Sequence, residues 1–239
     1  MEELGSSFAC RRRGTQGRKD TMGATHELVG VVDDDQSVRR GLRRLFKSAG
    51  YAAEMFASAE DYLARETFAG PICLVLDVRM PGLNGLDLQQ ALESRGAGEQ
   101  IVFITGHADV PTCTQAMKKG AVDFLLKPFD GDELIEAAQK ALLRGREWLR
   151  KQAQRRQARS LIDTLTPREF EVLRFVVVGL LNKQIAAELK TAEKTIKVHR
   201  GRVMQKLLVT SVPDLVRFSQ TAGVLPAEVP HGTKVHYPA

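Results

Sequence analysis

The 239-residue chain is 43% hydrophobic and 27% charged, the balance of a cored globular protein with length enough for two domains. Its three cysteines are too few and too scattered for a disulfide frame or a zinc site, and no apolar run approaches the ~18 residues of a membrane span. The net charge of +6 is split unevenly, 11 basic against 18 acidic side chains over residues 26–139 and 19 against 8 over residues 140–239, which implies two units with different partners, the second suited to nucleic acid. In chain order, residues 1–25 are polar, rich in Gly and Arg, and expected to be disordered, with Met22 a second candidate start.

Residues 26–143 form the first expected domain. Apolar runs at Leu28–Val32, Ile72–Leu76, Ile101–Thr105 and Ala121–Leu126, with a weaker one near Tyr51–Met55, predict five strands. Between them Val38, Leu42, Leu45 and Phe46 recur at helical spacing, and Leu86, Leu88 and Leu92 do so less regularly. Continuous apolar strands alternating with helices predict an α/β doubly wound, five-stranded parallel sheet. Residues 144–160, with seven basic side chains and one acid, are expected to form an exposed basic helical linker.

Residues 161–225 form the second expected domain, purely helical in pattern, and residues 226–239 a flexible tail. Leu165-Thr166-Pro167-Arg168-Glu169 is a strong helix start, with Thr166 as N-cap, Pro167 in the first turn and Glu169 completing a capping box. Leu173, Val176 and Val177 give that helix its core face, Gly179 ends it, and Asn182 is placed to cap a short helix through Leu189. A third helix, Glu193 to Leu208, sets Ile196, Val203 and Leu207 beneath a basic face. Two short helices, a tight turn and a basic third helix describe a helix-turn-helix.

The chemistry of the first domain sits at strand ends, where an open parallel sheet collects its functional groups. Asp33, Asp34 and Asp35 follow the first strand, Asp77 ends the third, Thr105 ends the fourth, and Lys127-Pro128 follows the fifth. Carboxylates gathered in this way repel one another unless neutralised, and an oxygen-only cluster favours Mg²⁺ over zinc. A carboxylate is also a competent nucleophile toward a phosphoryl group, a transfer that needs charge neutralisation more than covalent help. Arg79 stands where an aspartate-nucleophile hydrolase would place a second acid, and no Walker-type lysine loop occurs, so catalysis on a separate substrate is disfavoured.

This constellation resembles the receiver domain of two-component response regulators. The resemblance makes Asp77 the phospho-acceptor and Asp33 with Asp34 the acidic pair beside it. It implies Mg²⁺ held by Asp34, Asp77 and the backbone carbonyl of Arg79. Thr105 and Lys127 would receive the phosphoryl oxygens, with Phe124 the aromatic that follows Thr105 inward. The second domain, through Asn182-Lys-Gln-Ile-Ala and Lys194-Thr-Ile-Lys-Val-His-Arg, resembles the LuxR-type helix-turn-helix, and the whole chain resembles the FixJ branch of the NarL/FixJ family. That resemblance directs Thr195, Lys197, Val198 and Gly201 to the major groove and Lys183, Lys194, His199 and Arg200 to phosphates. Three positions depart from it: Lys190 replaces a usual glycine, Ala192 a usual capping serine, leaving Thr191 as the candidate cap, and Leu181 a commonly small polar residue.

The expectation is therefore a cytoplasmic response regulator in which phosphorylation of Asp77 by a sensor histidine kinase switches sequence-specific DNA binding. A phosphorylation-independent binder with a vestigial receiver is the alternative. Its enzymatic activity would be limited to its own phosphorylation and dephosphorylation. The expected partners are DNA with paired half-sites, the kinase, RNA polymerase and a second copy of the chain, which pairs on phosphorylation through the fourth helix and fifth strand; no membrane is among them.

Overall fold

The computed structural model describes residues 27–107 and 110–228. The expectations for residues 1–25 and for the end of the tail lie outside that range. Five strands, β1 (Leu28–Val32), β2 (Ala52–Phe56), β3 (Ile72–Asp77), β4 (Gln100–Thr105) and β5 (Asp123–Leu126), pair in parallel in the order β2-β1-β3-β4-β5. The order reverses beside β1, so the crevice above the carboxyl ends of β1 and β3 is where such a sheet binds ligands.

Residues on alternate sides of the strands enter separate cores, which is why the strands read as continuous apolar runs. Val29, Val31, Cys73, Val75, Val102 and Ile104 face α1 (Gln36–Ser48) and the first turns of α5 (Gly131–Ile162). Val32, Leu74, Leu76, Ile101 and Phe103 face α2 (Ala59–Ala64), α3 (Gly85–Ser94) and α4 (Val110–Lys118). Asp35, Ser58, Asn84 and Asp130 cap four of these helices with side-chain oxygens, each starting a helix just beyond a strand end.

The expected linker is helical, but no break separates it from the helix before it. α5 runs for 32 residues, about 48 Å at the usual rise. Its lower half stays docked on the first unit: Gly145 approaches Pro71, and Trp148 lies so close to Gly98 that a Cβ there would fall 2.4 Å from the ring. Its last turn is buried in the second unit, where Ala158 and Ile162 join the core. The basic residues occupy the remaining faces. A run of charge in sequence thus hides small and apolar residues spaced to serve two cores.

The second unit comprises the end of α5 with α6 (Pro167–Val178), α7 (Asn182–Glu188), α8 (Glu193–Lys206) and α9 (Val212–Ala222). The capping box at Thr166 and Glu169 forms as expected, and Gly179 closes α6 in a left-handed conformation. Glu169, almost fully buried, also accepts from Lys206 Nζ at 2.6 Å, tying the start of α6 to the end of α8. The Lys206 contact and the Thr166 amide push the Glu169 carboxyl down to about 2.

Four local expectations need correction. Leu181, not Asn182, is the N-cap of α7; the Asn182 side chain instead accepts from Arg200 at 3.0 Å. Thr191 does not cap α8: Ala192 stands at that position and supplies no side-chain bond. Val177 stands only at the edge of that core, half-buried and packed against it, while Val172 is fully buried within it. α8 ends at Lys206, and Leu208 turns outward with a left-handed backbone.

Lys190 adopts φ 48°, the conformation for which a glycine is ordinarily required. The turn before α8 keeps its path and bears the strain. We expect Lys190→Gly and Ala192→Ser each to stabilise the second unit by about 1 kcal/mol. Thermal melts followed by circular dichroism check this, and an unchanged melting temperature in both variants would mean the turn is relaxed as it stands.

Candidate functional site

The first candidate site occupies the crevice at the end of β1 and β3. Asp33 is fully buried, Asp77 nearly so, and Asp34 is exposed; their carboxylate oxygens lie within 4.8 Å of one another. The Lys127 ammonium enters from the end of β5, 2.6 Å from Asp33 Oδ2 and 3.3 Å from Asp77 Oδ2. The Lys127-Pro128 bond is cis. Asp33 is further fixed by the Asp35 amide, which donates to its Oδ1 at 2.8 Å, and by the Arg39 guanidinium on its carbonyl.

Close packing of the β3–α3 turn shapes the approach to Asp77. Gly85 abuts its carbonyl so tightly that a Cβ would lie 2.3 Å from the oxygen, and the Arg79 amide donates to Asp77 Oδ1 at 3.4 Å. Glu60 Oε1 accepts from the Leu83 amide and steadies the same loop from α2. Thr105 is buried at the end of β4, its hydroxyl donating to the His107 carbonyl at 3.1 Å within its own loop. Phe124 is half-buried on β5, its ring 6.0 Å from that of Phe103. The fold thus brings Asp33, Asp34, Asp77 and Lys127 together directly, with Thr105 and Phe124 on the neighbouring strands.

Burial first, and then the Asp33 charge, push the Asp77 carboxyl above the ordinary aspartate range, against the pull of Lys127. Burial opposes the Lys127 charge too, but its contacts with Asp33 and Asp77 outweigh burial and raise its pKa. Three carboxylates against one ammonium leave the crevice negative. An oxygen-only donor set with an exposed member, Asp34, fits a hard divalent cation such as Mg²⁺.

The second candidate site is the outer face of α8. Ile196, Val203 and Leu207 are buried, while Lys194, Thr195, Lys197, Val198, Gly201 and Arg202 are exposed, as is Lys183 on α7. Lys194, Val198 and Gly201, at i, i+4 and i+7, run along the side opposite Ile196. His199 and Arg200 differ: both are half-buried, and Arg200 is anchored to Asn182. Neither Arg39 nor Glu60 stood out in sequence, because each acts through a backbone group whose position only the fold reveals.

Residues 29–139 match the response regulator receiver domain family, and residues 163–219 match the luxR family of bacterial regulatory proteins. Nodulation protein W of Bradyrhizobium diazoefficiens is 48% identical over 206 residues, 85% of this chain and 90% of that protein. The transcriptional regulatory protein FixJ of Azorhizobium caulinodans is 42% identical, over 84% of this chain and 95% of its own. The structure of the response regulator StyR superposes with a TM-score of 0.67 at 45% identity, covering 82% of this chain and 98% of that one.

The raised Asp77 pKa has a sign that can be tested. Folding favours its neutral form, so the associated stability is present below the ordinary aspartate pKa and is lost as the pH rises through the folded Asp77 pKa. Asp77→Asn stays neutral, so it should melt a few degrees above wild type at neutral pH without divalent cation, and the gap should close on acidification. A variant no more stable than wild type at neutral pH would show that Lys127 fully compensates the charge.

Proposed function

The chain belongs to the response regulators that join a receiver domain to a LuxR-type DNA-binding domain, and from that membership we propose that phosphorylation of Asp77 by a sensor histidine kinase controls its sequence-specific DNA binding. The observation that carries this reading is the half-buried Lys127 ammonium spanning Asp33 and Asp77. A permanent cation beside a carboxylate nucleophile offsets the repulsion between that nucleophile and an incoming phosphoryl group, which is the main obstacle to the transfer.

An Asp77 Oδ atom attacks phosphorus as the bond to the donor imidazole breaks, giving an acyl phosphate; the imidazole leaves with a proton. Mg²⁺ would be held by Asp34, Asp77 and the backbone carbonyl of Arg79, and its charge would neutralise the transferring oxygens. Lys127 then shifts from the carboxylates to a phosphoryl oxygen. The Thr105 hydroxyl exchanges the His107 carbonyl for another, and Phe124 moves into the space that this vacates.

One helix-turn-helix makes too few base contacts for a selective site, so two copies on paired half-sites are expected. The face of α4 and β5 favours receiver pairing, since Val110 (79% exposed), Met117 (45%) and Leu126 (53%) are large apolar residues left to solvent there. Thr195, Lys197, Val198 and Gly201 read bases, with Lys183, Lys194, His199 and Arg200 toward phosphates. The anchoring of Arg200 to Asn182 favours a fixed phosphate contact at that position. No helix among the described residues is long and apolar enough to cross a membrane, and a cytoplasmic regulator that contacts RNA polymerase from its DNA site is the setting we infer.

With acetyl phosphate and Mg²⁺, intact mass should rise by one phosphate, Asp77→Asn should abolish the gain, and sedimentation should show the dimer fraction rising with it. Labelling that persists in Asp77→Asn would overturn the assignment, and a dimer fraction indifferent to labelling would remove pairing from the switch. On DNA, Lys197→Ala should relax sequence preference. Lys194→Ala should weaken all sequences alike and reduce the salt slope by about one. Footprints unaffected by either change would exclude α8 as the reading helix.

A further inference from the structure

α4 is the least buried helix of the receiver unit: of its nine residues only Ala116 is buried. Its exit is nonetheless held firmly. Gln89 on α3, 3% exposed, reaches across and donates from Nε2 to the carbonyls of Ala116 and Lys119, each at 3.2 Å. Both carbonyls lie at the C-terminal end of α4, Lys119 just past its last residue, where the regular i→i+4 bonds of a helix run out. The outer neighbour Gln90 accepts from Lys119 Nζ at 3.1 Å, and Gly120, with φ 88°, turns the chain so that the Ala121 amide returns to the Ala116 carbonyl.

Two carbonyls facing one carboxamide dictate that its NH₂ points toward them, which leaves Gln89 Oε1 buried with no hydrogen-bond partner among the described residues. A polar side chain is thus kept inside an apolar core with only its donor half satisfied. Leucine would fill the same space without an orphaned oxygen. What glutamine adds is a two-pronged attachment from α3 to one end of α4.

The opposite end of α4 is where the switch acts. Val110, the first residue of the helix, is 79% exposed and lies just beyond the Thr105–His107 loop. We propose that Gln89 is a positioning residue, the fixed pivot that holds the last turn of α4 while its first turns swing as Thr105 changes partner. The proposal rests on the switch reading given above. A helix pinned at one end converts a small displacement at Thr105 into a rotation, which alters the orientation of Val110 far more than that of Ala116.

The test uses the full chain and two variants, Gln89→Leu, which keeps the core apolar, and Gln89→Glu, which keeps the shape and loses the donors. Hydrogen exchange should report amides of residues 116–121 opening about tenfold faster in both, since roughly one net hydrogen bond is lost. Labelling of Asp77 by acetyl phosphate should be unchanged, whereas the phosphorylation-driven gain in DNA affinity should shrink toward onefold. A purely structural role would lower stability and leave that gain intact. Wild-type DNA affinity indifferent to phosphorylation would overturn the switch reading itself; a switching wild type beside variants that switch equally well, or unaltered exchange at residues 116–121, would overturn the pivot alone.

Discussion

Like charges converging on one point are the constraint around which the receiver unit is organised. The parallel sheet delivers Asp33 and Asp77 to adjacent strand ends, and burial deprives both of water. Without Lys127 those carboxylates would face one another in a low-dielectric crevice, a situation that proteins usually resolve by protonation or by unfolding the site. The ammonium supports the charged state but does not complete the neutralisation. A site left partly uncompensated is suited to a divalent cation, and in the proposed reaction the imbalance that limits stability would favour recruiting one.

The geometry around that point separates what is rigid from what can move. Asp33 is locked by the Asp35 amide and by Arg39, and the turn after Asp77 is packed too tightly at Gly85 to shift. Thr105 is tied to β5 through its backbone, but its hydroxyl bonds within its own loop, and α4 beyond it contributes little to the core. With rigid acids beside a compliant neighbour, charge arriving at Asp77 in the proposed switch would be relieved on the β4–α4 side. In the second unit the rigidity lies elsewhere. Glu169 joins the start of α6 to the end of α8, so the outward face of α8 is set by an ion pair with a buried carboxylate rather than by the weakly capped turn that precedes it.

Much of this could be read from residues alone, for identifiable reasons. Strands buried on both faces leave continuous apolar runs, so β1, β3 and β4 lie within a residue of their expected bounds. A capping box and a C-terminal glycine are local codes, and Thr166, Glu169 and Gly179 obey them. The continuity of α5 was hidden because its packing residues, Gly145, Trp148 and Ala158, are interspersed with arginines that dominate the composition. The cap of α8 was misassigned because a threonine one residue too early satisfies the sequence rule but not the geometry. Gln89 gave no signal at all: a glutamine on a helix reads as solvent-facing until the carbonyls of another helix are seen above it.

The unbroken α5 makes the rotational phase between the two units a function of residue count. Each helical residue adds about 100° of rotation and 1.5 Å of length, so one residue inserted between Leu149 and Arg156 would turn α8 about a third of a circle relative to the receiver. Seven inserted residues would restore the phase to within about 20° while moving the units about 10 Å apart. If two receivers pair across a symmetry axis as proposed, this phase would fix which faces of their second units point toward a common duplex. The permitted separation between half-sites would then be encoded in the length of a helix remote from both the acidic crevice and the outer face of α8.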